Sequence, residues 1–305
     1  MPKVIAICNQ KGGVGKTTTA VNLSAALALG GSPTLLVDLD PQGNATSGLG
    51  IDKKKSARSV YQSLVQKEPI TAAILQTQIQ NLQIIPSQSA LSGAEVELVG
   101  LANRETRLKE VFQETQNFYD QIIVDCPPSL GLLTVNALTA ADSVLIPLQC
   151  EYYALEGLSQ LLETIRLVQQ SLNAALEVEG VLLTMADFRT KLTGDVIQEV
   201  RRSFGTKVYD IIIPRSVRLS EAPSHGLPIS LYDPNSSGAK AYQSLAEQVK
   251  KEKIDDGNAR VGQRDSSADS GSGDSPKPAT EGKIRTDSDT ASSHSTEPVS
   301  TSSES

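Results

Sequence analysis

The residues best suited to chemistry lie close to the N-terminus, in Lys11-Gly12-Gly13-Val14-Gly15-Lys16-Thr17-Thr18. The glycines let the backbone curl until successive N–H groups face inward, an arrangement that suits phosphate oxygens. The apolar run Val4–Cys8 precedes the loop, and a helical pattern opens near Lys16. Strand, loop and helix in that order are the setting a phosphate-binding loop requires, and the helix N-terminus adds its positive dipole end. In such a loop Lys16 reaches the β- and γ-phosphates, and the Thr17 hydroxyl completes a Mg²⁺ shell. The motif departs from the usual form in two ways. Gln10 stands where the first glycine is usual, and an additional lysine, Lys11, precedes the double glycine.

Two acidic segments extend this chemistry. The run from Thr34 ends in Val37-Asp38-Leu39-Asp40-Pro41, and the run from Gln121 ends in Val124-Asp125-Cys126-Pro127. In a parallel sheet the carboxyl ends of strands line the ligand crevice, where carboxylates hold Mg²⁺ directly or through its waters. Asp38 is expected on the other face of its strand, as a support for the loop.

The elements that hold these residues follow from the apolar pattern. Strand-like runs are expected at Val4–Cys8, Thr34–Leu39, Leu82–Ile85, Gln121–Asp125, Ser143–Leu148, Val178–Leu183 and Val208–Ile213. Helical patterns are expected at 16–29, 57–66, 104–115, 131–140, 153–172, 191–204 and 238–252. Alternating strands and helices, with runs apolar on both sides, predict an α/β fold. The expected architecture is a single doubly wound, mostly parallel sheet with helices on both faces.

Composition sets the boundaries. Of 305 residues carrying a formal charge of −7, every Phe and Tyr lies at or before Tyr242. From about Asp255 the chain is Ser, Asp, Thr, Gly and Pro, too polar to offset its ordering entropy. We therefore expect a folded domain at 1–252 and a disordered acidic tail at 253–305. Residues 1–250 carry −3 and residues 251–305 carry −4, so the acidic excess belongs largely to the tail. No apolar run reaches the ~18 residues of a membrane span, and no signal-peptide pattern opens the chain. Three cysteines (Cys8, Cys126, Cys150) without C-x-x-C spacing point to a reducing cytoplasm and to buried thiols rather than a disulfide framework or zinc site.

The K-G-G-x-G-K-[ST]-T form of the loop resembles the deviant Walker A motif of the ParA/MinD family of P-loop ATPases. The resemblance implies ATP and Mg²⁺ as cofactors, with Lys11 through Thr18 around the phosphates. It also implies that Lys11 reaches across a dimer interface to the partner's nucleotide, so that homodimerisation depends on ATP. Asp125 is similar to the Walker B aspartate of that family, paired with Thr17 at the metal. Asp40 is similar to its second-strand aspartate, which orients the attacking water; Lys11, Lys16 and Asp40 are then the catalytic candidates.

Further along, Leu183-Thr184-Met185-Ala186-Asp187-Phe188-Arg189-Thr190 and Ile213-Pro214-Arg215-Ser216-Val217-Arg218-Leu219-Ser220-Glu221-Ala222-Pro223-Ser224 resemble the ParA/Soj partition branch. The likeness nominates Met185, Pro214 and Arg215 for the adenine pocket. Residues 185–220 hold seven basic and four acidic side chains. In the branch, arginines matching Arg189 and Arg218 contact DNA phosphates without reading sequence, and Arg202 joins them as a candidate. Binding of that kind works by counterion release and weakens with salt. The implied function is chromosome or plasmid partition by an ATPase stimulated by a ParB-like partner, in a cytoplasmic, nucleoid-associated protein. Two readings compete within the family: a membrane-associated positioning ATPase of the MinD kind, and a positioning ATPase for a protein cargo. A metabolic P-loop ligase or kinase is a third. The last helix, with Tyr242, Leu245, Ala246 and Val249 on its apolar side, is poor material for a membrane anchor, so no membrane partner is expected.

Overall fold

The computed structural model describes residues 1–115, 117–152, 154–155 and 157–250; the expected tail at 253–305 lies outside them. Among the described residues, seven strands form one sheet: β1 (Lys3–Ile7), β2 (Thr34–Asp38), β3 (Leu75–Gln76), β4 (Leu82–Ile85), β5 (Gln121–Asp125), β6 (Ser143–Gln149) and β7 (Glu177–Thr184). Their order is β3-β4-β2-β5-β1-β6-β7. All neighbours pair in parallel except the short edge strand β3, which runs antiparallel to β4. β2 and β5 are buried along their whole length, which is why their sequences read as continuous apolar runs.

Eleven α-helices flank the sheet among the described residues: α1 (Lys16–Leu29), α2 (Asn44–Gly48), α3 (Val60–Val65), α4 (Leu91–Val99), α5 (Arg107–Phe112), α6 (Leu132–Ala140), α7 (Leu158–Ser171), α8 (Lys191–Phe204), α9 (Val217–Glu221), α10 (Ile229–Tyr232) and α11 (237–250). They lie on both faces. Val4, Ala6, Val37, Val124 and Ile146 point to a core closed by α3–α8. The intervening Ile5, Ile7, Leu36, Ile123 and Leu145 point to a second core closed by α1 and α11. In α7 the buried Leu158, Leu161, Ile165 and Val168 recur at helical spacing on one face.

Three expectations need correction. Val208–Ile213 is not a strand; it meets β7 through an isolated bridge, Val181 to Val208, with a second at Ala186 to Pro214. Tyr209 N–H and Ile213 N–H still donate to the Val181 and Leu183 carbonyls, so the segment lies along the sheet edge without forming a ladder. The helix expected at 104–115 is α5 followed by a 3₁₀ turn, Gln113–Thr115. The helix expected at 153–172 is seen as α7 from Leu158, and residues 153 and 156 lie outside the described set. Apolar periodicity did not indicate β3, which is only two residues long.

Register sets up the site. Asp125 of β5 stands level with Ile7 of β1 on one side and with Asp38 of β2 on the other. The carboxyl ends of three central strands therefore finish together, beneath the loop that leads into α1.

Candidate active site

The loop between β1 and α1 is held from several sides. Gly13 and Gly15 take φ of 76° and 91°, a left-handed conformation that costs glycine little. Asn9 Nδ2 donates to the Pro147 carbonyl at 2.8 Å, and Asn9 Oδ1 accepts from Lys11 N at 3.0 Å. Thr184 Oγ1 donates to the Val14 carbonyl at 2.9 Å. Gln10, the residue in place of the usual glycine, donates through Nε2 to the Gly157 carbonyl at 2.7 Å. The loop is thus tied to β6, β7 and the start of α7.

Lys16 folds back into this loop. It is only 7% exposed, and its Nζ donates to the Lys11 carbonyl at 3.0 Å. Burial lowers its pKa, opposed by the charges of Asp125, Cys126 and Asp40. Below it stands Asp125, fully buried, with no hydrogen bond of ordinary geometry to either carboxylate oxygen. Burial first, then the charge of Asp38, pushes its pKa well above the usual carboxylate range; the Thr17 hydroxyl is near enough to draw it back in part. A buried unpartnered carboxylate is costly. Here it stands beside Thr17 and under Lys16, a donor set that fits a hard divalent cation carried by a polyphosphate.

Asp38 corrects the expectation for its strand. It is the register partner of Asp125 and shares its side of the sheet. Its Oδ2 accepts from Thr46 N at 2.7 Å and Thr46 Oγ1 at 2.6 Å, and its Oδ1 accepts from Asp40 N at 3.3 Å. Those bonds close the turn after β2, the supporting role expected of it. Burial nevertheless pushes its pKa up to about 6. Asp40 is 7% exposed, and its Oδ1 accepts from Gln42 N at 2.9 Å.

Met185, Pro214 and Arg215 come together. With Gly15, Thr18 and Thr184 they line a cavity of about 260 Å³ beside the loop. Met185 has φ of 52°, a left-handed conformation unusual for its type. The three arginines nominated for DNA are all exposed, and each meets an acid. Arg189 pairs with Asp187 at 2.7 Å, Arg202 with Glu199 at 3.0 Å, and Arg218 with Glu221 at 3.2 Å. Arg189, and more weakly Arg215, hold the Asp187 carboxyl down at about 2. Cys8, Cys126 and Cys150 are buried, with the first two Sγ atoms 3.2 Å apart.

Sequence reasoning missed Glu151. It lies 3.9 Å from Lys11 and 3.8 Å from Arg215. Its position just past the carboxyl end of β6 was the available signal.

A glycine-rich loop under a helix N-terminus, a buried lysine and two acidic strand ends on a parallel sheet define a P-loop ATPase. An AAA-domain family model matches residues 2–178. The sporulation initiation inhibitor protein Soj of Bacillus subtilis is 61% identical over 249 residues, covering 82% of this chain and 98% of that protein. The chromosome partitioning protein ParA of Myxococcus xanthus is 55% identical, covering 82% and 88%. Among solved structures, cobyrinic acid a,c-diamide synthase of Mycobacterium smegmatis with bound ADP and magnesium is 40% identical. It matches at a TM-score of 0.74 over 82% of this chain and 95% of that one. The chain belongs to the ParA/Soj family of partition ATPases.

Proposed function

We propose that residues 1–252 form an ATPase domain that pairs with a second copy when ATP and Mg²⁺ bind. The paired form binds DNA without sequence preference and releases it after hydrolysis stimulated by a ParB-like partner. The observation that carries the nucleotide half is Asp125, buried and unpartnered beside Thr17. ATP with Mg²⁺ supplies the bond to be cleaved and a cation to offset the charge on its phosphates. Thr17 and Asp125 hold the metal side, while Lys16 and the loop amides neutralise the phosphates. Asp40 orients the water. Lys11 reaches the nucleotide of the partner subunit, and Met185, Pro214 and Arg215 border the base.

The DNA half is supported by relatives named for chromosome partition and by Arg189, Arg202 and Arg218, each exposed. In this reading the protein acts on the nucleoid. A membrane role for α11 is disfavoured because Tyr242, Leu245, Ala246 and Val249 are all buried in the core against α1. No described helix is long and apolar enough to cross a membrane. Replacing Lys16 with Gln tests the proposal. ATP turnover is expected to fall by about 100-fold or more, with stimulation by a ParB-like protein abolished. Turnover retained in Lys16→Gln contradicts the site.

A further inference from the structure

The loop after β6 carries a carboxylate with no part in the chemistry above. Glu151 stands two residues beyond the strand, at the carboxyl end of the sheet, which bears the phosphate loop. Its Oε2 lies 3.9 Å from Lys11 Nζ, and its Oε1 lies 3.8 Å from Arg215 Nη2. Gln149 Nε2 donates to Oε1, which fixes the carboxylate from its own strand. A second tie joins the same loop to the phosphate loop, from Gln10 to the Gly157 carbonyl. One carboxylate thus serves two cations, one at the outer edge of the phosphate loop and one on the wall of the cavity lined by Met185 and Pro214. The Lys11, Glu151 and Arg215 side chains are 39%, 46% and 58% exposed. Exposed pairs at such distances are weak and exchange readily.

We propose that Glu151 is a positioning residue for Lys11. It holds the lysine against its own chain, bridged to Arg215, until a nucleotide phosphate at the interface with a second copy takes the lysine over. A triphosphate carries more negative charge than one carboxylate, so the exchange favours the phosphate once it is presented. Breaking the Glu151 pair opposes assembly, and Glu151 therefore sets the protein concentration at which ATP drives dimerisation. The inference rests on the reading that Lys11 crosses between two chains.

The test uses the full-length protein in two arms. In the first, a carbodiimide joins amines to carboxylates already in contact. A Lys11–Glu151 cross-link within one chain, read by mass spectrometry, is expected without nucleotide and is expected to fade when ATP and Mg²⁺ drive dimerisation. In the second, light scattering measures the concentration for half-dimerisation with ATP. Glu151→Gln is expected to lower it about fivefold, the scale of the two exposed ion pairs broken in each dimer. Glu151→Asp, which keeps the charge, is expected to stay near wild type. A merely structural role moves both variants together, in the direction of weaker assembly. Absence of the cross-link in the nucleotide-free chain overturns the proposal, as does its persistence in the dimer or a midpoint unmoved in Glu151→Gln. If the wild-type chain binds ATP yet stays monomeric, the partition reading fails first, visibly in the second arm, and the handover of Lys11 fails with it.

Discussion

Asp125 and Asp38 stand level on adjacent strands, two carboxylates in one buried place, and the nucleotide-free fold bears the consequence. Asp125 has no hydrogen-bond partner of ordinary geometry, so Asp125→Asn is expected to stabilise the nucleotide-free protein by about 1–2 kcal/mol. Thermal unfolding without ligand measures this, and the same variant is expected to lose the contribution of Mg²⁺ to ATP binding. For Asp38 the sign follows from its pKa, raised from 3.8 to about 6 by burial. A group with a raised folded-state pKa contributes stability that is full below its unfolded value and lost as pH rises through the folded one. Nucleotide-free wild type is therefore expected to lose stability between about pH 4 and pH 6 relative to Asp38→Asn. Denaturant unfolding across that range checks it, and parallel curves contradict it. Much of this was legible in advance: residue type and spacing pointed to Lys16, Thr17, Asp40 and Asp125, which the fold gathers in one place, because a phosphate loop and acidic strand ends leave local signatures. The coupling of Asp38 to Asp125 was not legible, because it arises from β2 pairing with β5 across more than eighty residues of chain.

At the scale of elements, the junction between β6 and α7 governs the phosphate loop. Gly157 begins α7 with φ of 83°, and a Cβ there meets Gln10 Nε2 at 2.5 Å. Gly157→Ala is expected to cost about 1–2 kcal/mol in strain. Gln10 has to move, the bond to the Gly157 carbonyl breaks, and ATP affinity is expected to fall with it; calorimetric titration measures the loss. The apolar pattern found α7 and α8 because each buries one face at helical spacing, while α1 and six of the strands, buried on nearly every side, read as continuous apolar runs. It read Val208–Ile213 as a strand because that segment also packs inward. Ile213 and Tyr209 are buried, yet only isolated bridges tie the segment to β7. Burial and ladder formation are separate properties, and a one-dimensional pattern reports only the first.

For the whole molecule, the formal charge of −7 is a poor guide to partners. Arg189, Arg202 and Arg218 project from the basic stretch between 185 and 220, each paired with a nearby acid that DNA phosphates have to displace. That competition predicts modest affinity with a strong dependence on salt. Replacing Arg189 and Arg218 together with Ala is expected to leave ATP binding intact and to reduce DNA binding roughly equally for all sequences. The proposed control of DNA binding by nucleotide is tested most directly by the affinity for a random duplex at several salt concentrations, with ATP and Mg²⁺ and with ADP. Binding that requires ATP, weakens steeply with salt and disappears in Lys16→Gln is the predicted result. Equal binding with ATP, with ADP and in Lys16→Gln, or no binding at low salt with ATP and Mg²⁺, contradicts it.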